Sequence, residues 1–156
     1  MKTIINTVAL IIMTFFYAQV TKAQDISPEV AAIKQDNVTK LNSFVNPNNL
    51  NGCFQEGKFS YTLLAQAIRD NAKKCFDLLI EKGADVNKAC EGYVPPIMPA
   101  AKYGRLEMLK ILVAKGVDVS YQYEGDYEPA NGETALMYAE KYKQIAVVDY
   151  LRSIKK

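Results

Sequence analysis

The sequence predicts an all-α solenoid: about four helix-turn-helix repeats stacked side by side, with hairpin fingers along one edge. Three observations carry this. The pattern of residues 71–86 returns at residues 104–119, an offset of 33, and a fixed step of that size marks a repeat array. Apolar residues recur at i, i+3 and i+4 in both stretches, as Phe76, Leu79 and Ile80 and again as Leu109, Leu112 and Val113. That spacing puts one buried stripe on each helix. A glycine then follows each stripe, Gly83 and Gly116, where the residue after a helix often takes a positive φ.

In chain order, residues 1–23 read as a signal peptide and residues 24–156 as the repeat domain. Lys2 supplies a positive start, Val8 to Ala18 an apolar run of eleven residues, and Thr21-Lys22-Ala23 a small-residue cleavage site. Eleven residues fall well short of the roughly 20 that span a bilayer, so a cleaved signal is expected rather than a retained anchor. The expected location is therefore periplasmic or secreted, with no stable membrane insertion. Lys2 and Lys22 belong to the 19 basic residues, so the rest of the chain sets 17 basic against 17 acidic side chains. A nucleic-acid partner calls for a basic excess, and none is expected here.

The first copy opens at Ser27-Pro28, a helix cap followed by a first-turn proline. Ala31-Ala32 follow, and Val38, Leu41, Phe44 and Val45 are read as its second stripe. The next copies start at Thr62, Pro95 and Thr134, at steps of 35, 33 and 39. The repeats then run over about 27–61, 62–94, 95–133 and 134–156. Alanine marks each first helix (Ala67, Ala100-Ala101, Ala139), where a small side chain lets neighbouring helices approach. Ile145, Val148 and Leu151 are read as the last stripe, and Arg152 falls where Ile80 and Val113 sit, as suits a face turned to water.

Catalysis has little to stand on. The chain has no histidine, which removes the commonest general base and the commonest metal ligand. It has no phosphate-binding glycine loop and no Cys-x-x-Cys pair. Neither enzyme activity nor a cofactor is expected. Glu124, Asp126 and Glu128 alternate in one loop; such a trio can hold calcium but is more often simply solvated. Cys75 occupies the apolar second-helix position of Met108 and Val147 and reads as core.

Gly83-Ala84-Asp85-Val86-Asn87, its variant Gly116-Val117-Asp118-Val119-Ser120, and the first-helix motifs beginning at Thr62, Pro95 and Thr134 resemble the ankyrin repeat. The resemblance covers residues 27–156. Its departures are Ala65, Met98 and Met137 in place of the motif histidine, and Pro95 in place of a capping threonine. It implies a monomeric module that binds a protein partner through its fingers and concave face. Cys53 and Cys90 fall in successive fingers, which implies a Cys53–Cys90 disulfide; two separate thiols are the alternative.

Two binding surfaces follow. The last finger is six residues longer than the period needs and interleaves Tyr121, Tyr123 and Tyr127 with Glu124, Asp126 and Glu128. Tyrosine is enriched in interfaces, although the same residues also fit a hairpin packed on its own repeat. Gln66, Pro99 and Tyr138 hold equivalent positions that face outward in the family, with Tyr103 and Tyr142 nearby. The function expected is an exported interaction module that binds or neutralises one protein in the cell envelope, of the kind that serves as immunity to a toxin. The alternatives are a small-ligand or enzymatic protein with an unrecognised site, and a structural envelope scaffold.

Overall fold

A computed structural model describes residues 26–56, 59–124 and 132–154. The proposed signal peptide, Asp126, Tyr127, Glu128 and the terminal lysines lie outside them. Eight helices are found among the described residues, and they form four pairs. The pairs are α1 (Pro28–Lys34) with α2 (Val38–Phe44), α3 (Leu63–Arg69) with α4 (Lys73–Glu81), α5 (Ile97–Lys102) with α6 (Leu106–Ala114), and α7 (Ala135–Lys141) with α8 (Ile145–Ile154). The first helices stack in chain order, α1 on α3, α3 on α5, and α5 on α7, and each packs on its own second helix. Ala32, Ala67, Ala100 and Ala139 are all buried, one in each first helix. The second helices contribute Leu41, Phe76, Leu79, Leu109, Leu112 and Leu151 to the continuous core.

Local chemistry sets the helix ends. Ser27, Thr62 and Thr134 cap α1, α3 and α7 through their hydroxyls, each satisfying an otherwise orphaned N–H. Helix α5 follows Pro95-Pro96 and has no side-chain cap. The turn inside each pair places one residue in the left-handed region: Asp36 at φ 46°, Asn71 at 57°, Gly104 at 65° and Lys143 at 57°. At Gly104 a Cβ would also run into the Gln144 side chain.

Polar side chains also bond backbone groups of the neighbouring repeat. The Asp36 carboxylate accepts from the Cys75 N–H at 2.9 Å and the Lys74 N–H at 3.4 Å, capping α4 from the preceding repeat. The Arg105 guanidinium donates to the Ile68 and Arg69 carbonyls at 3.3 and 3.4 Å. Gln144, at the equivalent position one repeat on, donates to the Lys102 carbonyl at 3.2 Å. Asn51 accepts from the Asp85 N–H and Asn87 from the Asp118 N–H, at 2.9 and 2.8 Å. Each bond serves a backbone group at a helix end or turn, where leaving one unmade is costly.

The fold is mostly helical, and one finger is a strand pair: β1 (Cys53–Glu56) pairs antiparallel with β2 (Phe59–Thr62), Cys53 opposite Thr62 and Phe54 opposite Tyr61. The structure corrects two expectations. Ile145 is not on the buried stripe of α8 but 73% exposed, and Val147 and Leu151 take the core. Phe44 is 38% exposed while Leu41 and Val45 are buried. Helices α2 and α8 belong to the first and last of the described pairs, and among the described residues each packs on a neighbouring repeat on one side only.

Candidate binding groove

Between the fingers and the first helices lies an open groove of about 1110 Å³. One wall begins at the Cys53–Cys90 disulfide, whose Cα atoms are 5.8 Å apart. The bridge ties the start of β1 to the finger that leads into α5. A turn from Cys90 to Tyr93, closed by the Tyr93 N–H on the Cys90 carbonyl at 2.9 Å, sets the Tyr93 ring against two rings of β2. It lies 6.3 Å from Phe59, edge-on, and 5.9 Å from Tyr61. The Arg69 guanidinium sits 4.8 Å above the Tyr61 ring.

Tyr138 on α7 and Tyr142 just past its end, with ring centroids at 6.0 Å, build the other wall. Pro99 of α5 lies between the walls. The Lys102 ammonium is 5.0 Å from the Tyr142 ring and 5.4 Å from the Tyr103 ring. Lys141 sits 5.9 Å from the Tyr138 ring and donates to Glu133 at 2.8 Å, a bond that holds its pKa above the usual lysine value. Burial, and then the negative Glu133, raises the Tyr138 pKa. Among the described residues, the second carboxylate oxygen of Glu133 is buried with no hydrogen-bond donor.

The residues expected to bind a partner divide. Pro99, Tyr138, Tyr123 and Glu124 line the groove. Gln66 does not face outward: it is 2% exposed and donates to the Asp70 carboxylate at 2.7 Å, on a helix, α3, that β2 packs against. Tyr123 is no free anchor either. It is 7% exposed, its hydroxyl donates to the Gly92 carbonyl at 3.4 Å, and its backbone pairs with Glu133 and Gly132. The base of the last finger is thus antiparallel-paired at Tyr123 and bonded to the preceding finger at Gly92. Tyr121 is half-buried against the core, and burial raises its pKa.

Sequence reading missed Phe59, Tyr61 and Tyr93, and with them Arg69, Lys102 and Lys141. The three aromatics lie in irregular fingers where no period reveals them. The three cations did carry a signal, since they share one position in the repeat.

Cys75 is buried in the core. Desolvation first, then its hydrogen bond to Asp36, pushes its thiol up to about 12 from an ordinary 9.0. A raised pKa favours the neutral thiol in the folded chain. That contribution is complete below pH about 9 and is lost as pH climbs toward 12. Iodoacetamide at mildly alkaline pH is expected to spare Cys75 in the folded protein and to label it once urea unfolds the chain. Intact-mass measurement reads the outcome; native labelling at the unfolded rate contradicts it.

No group of three potential metal ligands occurs among the described residues, and no helix among them is long and apolar enough to cross a membrane. Stacked helix pairs that share one core and open an aromatic groove define a repeat-built recognition scaffold. The chain belongs to the ankyrin-repeat family: the family described as Ankyrin repeats (3 copies) matches residues 29–123 and 96–156. It is 31% identical over 125 residues to an ankyrin-repeat protein of Fowlpox virus (strain NVSL), covering 79% of this chain and 19% of that protein. With the ankyrin repeat, SAM and basic leucine zipper domain-containing protein 1 of Dasypus novemcinctus it shares 34% identity over 71 residues, 44% of this chain and 15% of that protein. The likeness therefore covers a small part of either relative. Ankyrin repeats indicate a protein–protein interaction module, and the family is typically non-enzymatic.

Proposed function

We propose that this chain is an exported, monomeric binding protein of the cell envelope that holds one specific protein partner in the aromatic groove, neutralising it as an immunity protein neutralises a toxin. The groove is the observation that carries the reading: rings from two fingers and two first helices converge on it. Large rigid aromatics give contact area at low entropic cost and dominate binding hot spots. Export is supported by the apolar run Val8 to Ala18 ahead of Thr21-Lys22-Ala23. A disulfide between Cys53 and Cys90 also suits an oxidising compartment. The equal count of basic and acidic residues beyond residue 23 speaks against nucleic acid.

The test is capture from the native envelope fraction with residues 24–156 as bait. A partner held by the wild type is expected to be lost when Tyr93→Ala and Tyr142→Ala are combined, since hot-spot rings contribute about 2 kcal/mol or more each. Undiminished capture by a folded double variant would place the interface elsewhere.

A further inference from the structure

A cation stands in the last turn of every first helix: Lys34, Arg69, Lys102 and Lys141. Positive charge there complements the carbonyl end of the helix, which accounts for the position but not for where the charge points. Arg69, Lys102 and Lys141 line the groove, each over a tyrosine ring. The acids lining it, Glu91 and Glu124, come from the fingers. Charge is thus sorted across the groove, cations on the helix side and acids on the finger side. Lys141 is already neutralised by Glu133. The Lys102 ammonium meets the Tyr103 and Tyr142 rings and, among the described residues, no carboxylate.

We infer that the groove takes an extended acidic segment of a protein partner, laid across the repeats with one carboxylate on Lys102 and apolar side chains between the tyrosines. This rests on the groove being the binding surface. Neighbouring packed helices lie roughly 8–10 Å apart, and an extended chain rises about 3.3 Å per residue. About three residues of the segment therefore separate the carboxylate on Lys102 from the side chain that meets the next repeat. A ring beneath each cation attracts it through the ring's negative face and limits its motion before the partner arrives, so less freedom is lost on binding. A nucleic-acid strand fits less well: it carries a phosphate at every nucleotide and meets Glu91 and Glu124 in any register, whereas a peptide can set uncharged residues against them.

A phage-displayed library of random linear peptides, selected on the full chain, tests this. Groove-dependent binders are those lost on the Tyr93→Ala and Tyr142→Ala double variant. These are expected to carry a central Asp or Glu flanked by apolar side chains. They should weaken at least tenfold on Lys102→Glu and on replacing the central acid by its amide, and weaken further with added salt. Groove-dependent binders that are basic or uncharged, or that ignore Lys102→Glu, overturn the inference and leave the groove as the binding surface. The absence of groove-dependent binders overturns both readings. Tighter groove binding of a single-stranded thymidine oligonucleotide than of the selected peptides overturns the acidic-peptide assignment in favour of nucleic acid.

Discussion

Phe76→Ala is expected to destabilise the chain by about 3–5 kcal/mol, the cost of emptying a fully buried aromatic site. Phe76 is 1% exposed at the centre of α4 and belongs to the core that the repeats share. The loss is not confined to one pair. Each repeat is marginal alone and is stabilised by its neighbours, so a cavity in the second pair also weakens its contacts with the first and third. Urea unfolding followed by circular dichroism should show a much lower midpoint and a broader transition. Phe76→Leu, which keeps most of the volume, should recover most of the loss. Near-wild-type stability for the alanine variant would mean that the pairs do not share one core.

The second large effect belongs to the disulfide. Cys53 and Cys90 are 37 residues apart in sequence, and cross-linking a loop of that size removes about 4 kcal/mol of chain entropy from the unfolded state. The Cys53→Ser, Cys90→Ser double variant is expected to lose about 2–4 kcal/mol in urea unfolding, and dithiothreitol should have a similar effect on the wild type. The same change loosens one wall of the groove, because the bridge anchors both β1 and the turn that carries Tyr93. Partner binding should therefore fall even at temperatures where the variant stays folded. A reduced protein with the unfolding midpoint of the oxidised one would show that the bridge constrains nothing the stacked helices do not already constrain.

Much of the architecture is legible in particular residues. Phe76, Leu79, Leu109 and Leu112 fall on the core face because helix periodicity is a local property that stacking then uses. The glycines Gly83 and Gly116 end their helices at positive φ, as their places after the stripes imply. Less was legible at the edges. Ile145 and Phe44 have the spacing of core residues, but among the described residues no neighbouring repeat covers them and they stay exposed. Gln66 sits where family position suggests an outward side chain, yet the strand β2 packs onto its helix.

By itself the sequence determined the period, the apolar stripes, the helix stops and the poverty of catalytic side chains, because each is written within a few turns of chain. Only the tertiary structure decided the groove: which tyrosines support the fold and which are presented, and that Arg69, Lys102 and Lys141 lie over rings in one trough. The reason is geometric. Residues a full repeat apart meet only when the helix pairs stack, and the fingers that bring Phe59, Tyr61 and Tyr93 to them have no period of their own.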